Sequence, residues 1–103
     1  MAITYLLSKA YQILSRNWRY EKAEVDIIAF DKNFLVFIEV KWRKSDEFGA
    51  PHEAVNIQKE NLLKFAAEQY LEKMNLENEV RFDIISIVGE EPNVKIEHIE
   101  WAF

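Results

Sequence analysis

Glu24-Val25-Asp26-Ile27-Ile28-Ala29-Phe30, then Asp31-Lys32-Asn33, then Phe34-Leu35-Val36-Phe37-Ile38-Glu39-Val40-Lys41-Trp42-Arg43: this stretch decides how the chain folds. Both long runs are rich in β-branched and aromatic residues and read as strands. The polar segment 31–33 between them suits a hairpin turn. Strand side chains alternate faces, so Glu39, Lys41 and Arg43 share one face. Val36, Ile38, Val40 and Trp42 share the other, an apolar face fit for a core. Leu35 and Phe37 precede Glu39 on its face, which is therefore apolar at one end and charged at the other. A strand that switches in this way enters a pocket or leaves a sheet. In the preceding run the same alternation groups Glu24, Asp26, Ile28 and Phe30. An antiparallel pairing places Asp26 nearly opposite Glu39, and a one-residue bulge or loop offset would settle how they face.

Two carboxylates and an amine meeting on adjacent strands define a chemistry. Hard oxygen donors suit Mg²⁺ or Mn²⁺. A lysine beside them orients a water or stabilises developing negative charge. That is the equipment for metal-assisted phosphodiester hydrolysis. The plainer alternative is that these charges mark a solvated strand face, with a cross-strand Asp/Lys pair as a modest stabiliser.

The remainder of the chain bounds the possibilities. Its 103 residues fit one domain, 1–103, and 50% hydrophobic content supports a core. Cysteine is absent, which removes disulfides, a thiol nucleophile and Cys-zinc sites, and suits a cytoplasmic setting. No stretch approaches a membrane span or a signal peptide. Net charge is −5, which speaks against a nucleic-acid partner. Its distribution softens that objection: Arg16, Arg19, Lys22, Lys41, Arg43 and Lys44 lie in the first half, and the acidic excess lies later.

Residues 2–9 read as the end of a helix carrying Tyr5 and Leu6, without an N-terminal cap. A strand is expected over Tyr11–Arg16, with Asn17-Trp18-Arg19-Tyr20 leading into a polar turn. After the central pair, a loop to Pro51 precedes a helix over 52–74. Its apolar stripe is Val55, Leu62, Leu63, Ala66, Ala67, Tyr70, Leu71 and Met74. Gln58 and Lys59 interrupt that stripe, either facing a site or, for Lys59, snorkelling to water. Residues 81–88 form a buried strand, 89–93 a turn and 94–101 a last strand. The expected order is α-β-β-β-α-β-β, an α/β sandwich with a mixed central sheet, the helix acting as a crossover between parallel neighbours. His52 reads as a loop or capping residue, and His98 as a structural hydrogen-bonding residue pinning the C-terminus. Trp18, Trp42 and Trp101 read as core or interface, with Trp18 also a candidate for stacking on unpaired bases.

Asp on the second strand with Glu-X-Lys on the third resembles the PD-(D/E)XK nuclease fold. The match narrows with Ile13-Leu14, Arg16-Asn17-Trp18-Arg19, Glu24-Val25-Asp26-Ile27-Ile28, Val36-Phe37-Ile38-Glu39-Val40-Lys41 with Arg43, Phe48-Gly49, Glu53-Ala54-Val55, Lys59, Arg81-Phe82-Asp83 and Ile96-Glu97-His98-Ile99. Together these are similar to the bacterial YraN-like proteins over nearly the whole chain. The resemblance implies a restriction-endonuclease-like three-layer sandwich and a metal-dependent endonuclease acting on DNA, related to archaeal Holliday junction resolvases. It implies Asp26 and Glu39 as metal ligands for Mg²⁺ or Mn²⁺, with the Val40 carbonyl as a third. It makes Lys41 the residue that orients water, and Arg43, Lys59 and Arg19 the substrate contacts. Glu24 is implied as a structural group, and a homodimer is in keeping with resolvase-like relatives. Such relatives carry a glutamate in a longer N-terminal helix, ahead of the segment matching Ala2–Leu6. This sequence begins after it: either the chain is truncated, or its start was assigned late, or this member has lost the residue, and the uncapped first helix favours truncation over loss.

Three functions compete at this point: a divalent-metal endonuclease, a nucleic-acid-binding module that keeps the fold without catalysis, and an assembly domain whose acidic helix meets a protein. Convergence of Asp26, Glu39 and Lys41 would favour the first two. Side chains pointing separately to solvent would favour the third.

Overall fold

The computed structural model describes residues 1–44 and 57–103. Along the chain run α1 (Ala2–Ser8), β1 (Gln12–Tyr20), β2 (Ala23–Asp31), β3 (Phe34–Arg43), α2 (Ile57–Met74), β4 (Glu79–Glu90) and β5 (Asn93–Ile99). The five strands form one mixed sheet in the spatial order β1-β2-β3-β4-β5. All neighbours are antiparallel except β3 and β4, which run parallel. The helix between those two strands makes the parallel step possible, because a tight turn cannot reverse the chain twice.

Each sheet face carries its own core. On one face α1 buries Ala2 and Leu6 against Ile27, Ala29, Val36, Ile38, Ile85 and Ile87. On the other α2 buries Leu63, Ala66, Ala67 and Tyr70 against Ala23, Val25, Ile28, Leu35 and Phe37. The alternation of β3 thus sorts as its sequence requires, Val36 and Ile38 toward α1 and Leu35 and Phe37 toward α2. No helix among the described residues is long and apolar enough to cross a membrane.

Several boundaries differ from the sequence expectation. β1 runs through Asn17-Trp18-Arg19-Tyr20 to Tyr20, because Trp18 and Tyr20 pack on the α2 side and Val25 and Ala23 pair with them. The hairpin closes with two residues, Lys32-Asn33, Asp31 pairing with Phe34 and Lys32 taking the left-handed conformation at φ 55°. β4 extends to Glu90 and pairs it with Asn93, which shortens the expected 89–93 turn to Glu91-Pro92. β5 ends at Ile99, short of Trp101. Leu62 and Met74, expected in the buried stripe of α2, are exposed, as are Trp42 and Trp101. Trp18 is packed edge-on against Tyr70, 5.4 Å between ring centres, at the sheet–α2 interface. The expected helix start at 52–56, with His52 and Val55, lies outside the described residues.

Candidate functional site

The site begins where β2 and β3 part. Their ladder runs from Asp31–Phe34 to Ile27–Ile38 and ends there. Past that point β3 stays with β4 as far as Arg43–Val88, and β2 stays with β1 through Ile27–Arg16 and Val25–Trp18. The register thus sets Asp26 and Glu39 opposite each other at the fork. The Val40 N–H, left without a strand partner on that side, donates to Asp26 Oδ2 at 2.8 Å. An aspartate side chain replaces the missing main-chain acceptor, as a buried N–H requires.

A change of phase in β2 aims Asp26 into the fork. Val25 faces the α2 core, Ile27 the α1 core and Ile28 the α2 core again. Alternation therefore slips by one residue at Asp26. Ile28 and Phe30 pack toward α2, so Glu24, Asp26, Ile28 and Phe30 do not share one face, contrary to the strict period-2 reading. Across the β1–β2 ladder stands Asn17, in the left-handed region at φ 52°. Asn tolerates that conformation better than most residues, and both strands kink together there. An Asn inside a strand-like run was the available signal for this kink.

Glu39 lies beyond Phe37 on the α2 side and is only 7% exposed. Two ammonium groups converge on its Oε1. Lys59, from the first turns of α2, bonds it directly, and Lys41 Nζ lies 3.3 Å away. Lys59 thus faces the site, and its departure from the apolar stripe has a cause. Burial raises the Asp26 carboxyl above its ordinary range; the Val40 N–H works against this, the neighbouring Glu39 charge adds to it, and Lys59 and Lys41 oppose it. Burial alone would lower the Lys59 ammonium, but its bond to Glu39, its contact with Lys41 and the charges of Glu39 and Asp26 together outweigh this and leave it raised.

The remaining expected residues divide. Arg43 follows two positions after Lys41 at the end of β3, half-buried, and so falls on the same face. Arg19 is held elsewhere: it forms an exposed ion pair with Glu24 at the far end of β1. That pair gives Glu24 a structural role. On the α1 side an open cleft of about 360 Å³ is lined by Arg16, Asn17, Asp26, Val40 and Trp42, among others. Arg16 and Asn17 were not singled out from sequence as site residues. Trp42, expected in the core, forms a wall of this cleft, with its Nε1 3.3 Å from the Gly89 carbonyl. Gly89 has φ +110° and a Cβ there would lie 2.4 Å from the Asn93 carbonyl oxygen, so only glycine fits beneath the indole.

As cation donors the described residues supply two carboxylates and the main chain at Val40. No group of three or more His, Cys, Asp and Glu side chains is assembled among the described residues. The oxygens are of the right hardness for Mg²⁺ or Mn²⁺. Among the described residues, the Val40 N–H engages Asp26 Oδ2, and Lys59 and Lys41 engage Glu39 Oε1. Asp26, Glu39 and the Val40 carbonyl are the described groups that could hold such a cation.

These features define a mixed α/β domain whose forked sheet end carries a carboxylate pair bracketed by lysines. Residues 1–87 match the model of the uncharacterised protein family UPF0102, and the chain belongs to that family. It is 50% identical to a UPF0102 protein of Thermodesulfovibrio yellowstonii, over 100% of this chain and 88% of that one. It is 45% identical to one from Flavobacterium psychrophilum, covering 100% and 87%, and 41% identical to one from Alkaliphilus oremlandii, covering 100% and 91%.

Proposed function

We propose that this protein is a divalent-metal endonuclease of the PD-(D/E)XK type, hydrolysing phosphodiester bonds in DNA, with branched or structured DNA as its substrate class. The observation that carries this reading is the fork. It turns Asp26 from β2 toward the Glu39-Val40-Lys41 segment of β3, where Lys59 from α2 bonds Glu39. The parallel β3–β4 step, with α1 and α2 on opposite faces of the sheet, supports a restriction-endonuclease-like architecture.

A Mg²⁺ or Mn²⁺ ion held by Asp26, Glu39 and the Val40 carbonyl would acidify a water and neutralise charge on the phosphoryl group. The chain's own groups have separate tasks. Lys41 orients the attacking water and stabilises charge as it develops. Lys59 and Arg43 neutralise the phosphate oxygens. The partial burial of the carboxylates strengthens each of these interactions relative to water. A homodimer would present two such sites to opposed strands.

A second reading has its own support. Both lysines already compensate Glu39, and two carboxylates are fewer than a self-sufficient cation site commonly offers. That combination favours a nucleic-acid-binding module that keeps the fold without catalysis. One experiment separates the two: cleavage of a four-way junction and of linear duplex with Mg²⁺ or Mn²⁺, by the wild type and by Glu39→Ala. The nuclease reading expects metal-dependent cleavage that falls on the order of 100-fold or more in Glu39→Ala. Absence of cleavage on both substrates with both metals, together with salt-sensitive DNA retention, would establish the binding module.

A further inference from the structure

Ser86 is fully buried on β4, and its Oγ has no hydrogen-bond partner among the described residues. A buried hydroxyl without a partner is costly and uncommon, so its position calls for a cause. The sheet supplies one. Ser86 is the β4 residue paired with Lys41 of β3. Four residues earlier, Phe37 and Phe82 are paired in the same ladder, and their rings pack together 5.9 Å apart on the α2 side. Alternation brings the Lys41 and Ser86 side chains to that same side. On β5 the residue paired with Ser86 is Glu97. An ammonium, a hydroxyl and a carboxylate therefore stand in a row across three strands.

Resting on the metal-site reading above, we propose that Ser86 is a positioning residue for Lys41: its hydroxyl accepts the Lys41 ammonium once Glu39 is engaged elsewhere. In the structure Lys41 shares Glu39 Oε1 with the closer Lys59. When Glu39 turns to another partner, Lys41 needs a new acceptor to hold its direction. A serine hydroxyl offers two lone pairs while its proton points away, toward the Glu97 side. The unpartnered hydroxyl is thus half of a contact made only in the working state.

The test follows the Lys41 Nζ resonance at fixed pH in protein labelled with ¹⁵N-lysine, alongside cleavage. Mg²⁺ should move this resonance to the same position in the wild type and in Ser86→Thr, which keeps a hydroxyl, and to a different one in Ser86→Ala, where the released ammonium finds no hydroxyl. Cleavage by Ser86→Ala should fall roughly tenfold in kcat with KM unchanged, the scale of one hydrogen bond to a charged group. A hydroxyl without a role predicts the reverse: Ser86→Ala removes an unsatisfied group, so the protein should melt no lower and cleave as well. An equal Mg²⁺ response in Ser86→Ala and wild type would overturn the proposal and leave the metal site standing. No Mg²⁺ response in any of them would overturn the metal site instead. Glu39→Gln, which loosens Lys41 without a cation, then decides the contact: adding Ser86→Ala must shift the Lys41 resonance, and an unchanged resonance rejects it.

Discussion

Asp26 is ionised at a cost. Burial raises its carboxyl above the ordinary range, and the Glu39 charge adds to this. The unfolded group ionises near pH 3.9; the folded one does so higher. Between the two values the folded chain holds more protons, so stability falls as pH rises through that window and the full cost is present at neutral pH. An amide in its place keeps an acceptor for the Val40 N–H and carries no charge. Asp26→Asn should therefore melt higher than the wild type at pH 7, with the difference closing below about pH 4. Mg²⁺ should raise the wild-type melting temperature, since a ligand of the native state stabilises by mass action, and should leave Asp26→Asn unmoved. Melting curves over pH with and without the ion check both. A variant less stable than the wild type at pH 7 would mean that the Asp26 charge is favourably compensated in the fold. Such a trade of stability for charge placement is expected where a residue serves a reaction rather than a core.

Both helices end in the same device. After α1, Tyr11 N donates to Leu6 O and Ala10 N to Leu7 O, each at 3.1 Å; after α2, Leu76 N donates to Leu71 O at 2.9 Å and Asn75 N to Glu72 O at 3.3 Å. The residue that turns the chain is left-handed in each case, Ala10 at φ 68° and Asn75 at φ 54°. This is the Schellman pattern, and its turning position favours glycine. Alanine there meets the steric penalty of the left-handed region without the local hydrogen bonding that helps asparagine. Ala10→Gly should therefore stabilise the protein by about 1 kcal/mol, read in urea unfolding. A loss of stability would show that the entropy of the unfolded glycine outweighs the relief. Ala10 offered no signal in sequence, because nothing local marks an alanine as left-handed. β3, in contrast, was legible from its alternation: Val36 and Ile38 against Leu35 and Phe37, with Glu39 and Lys41 continuing the second row. The slip at Asp26 escaped that logic, since a one-residue change of phase leaves the composition of a run unaltered. Trp42 escaped it too, because period 2 assigns a face and not the depth of the core beneath it.

At the scale of the whole molecule, the end of the sheet opposite the fork is closed by charge. Arg81 on β4 is 3% exposed. It bonds Asp83 with Nε at 2.9 Å and a terminal nitrogen at 2.8 Å, Asp31 of β2 at 2.8 Å, and the Tyr11 hydroxyl. His98 of β5 meets Asp83 at 2.7 Å and Tyr5 of α1 at 3.1 Å, and the Trp101 N–H donates to Asp83 Oδ1 at 3.2 Å. His98 is a structural hydrogen-bonding residue as expected, but the bond that holds the C-terminal segment is made by Asp83 and not by His98. The full network was not legible, because its members lie as far as 93 residues apart in sequence and only the folded sheet gathers them. One carboxylate thus ties α1, β2, β4, β5 and the C-terminal segment, so its loss should be felt globally. Burial would raise Asp83, but the bonds from His98 and Arg81 dominate and hold it below the ordinary range. A depressed folded value contributes stability that is present above the unfolded value near pH 3.9 and is lost as pH falls through the folded one. Its sign is opposite to that of Asp26 over neighbouring pH. Asp83→Asn leaves Arg81 buried beside a neutral partner and should cost about 3–5 kcal/mol at pH 7, with Asp31 and Glu100, the latter 3.4 Å from Arg81, softening the loss. Below about pH 4 its stability should fall less steeply than that of the wild type, because the proton taken up by Asp83 has no counterpart in the amide. Urea unfolding at a series of pH values reads both the offset and the slope. Equal slopes would show that Asp83 stays ionised throughout the range, and that other carboxylates set the acid limit of the fold.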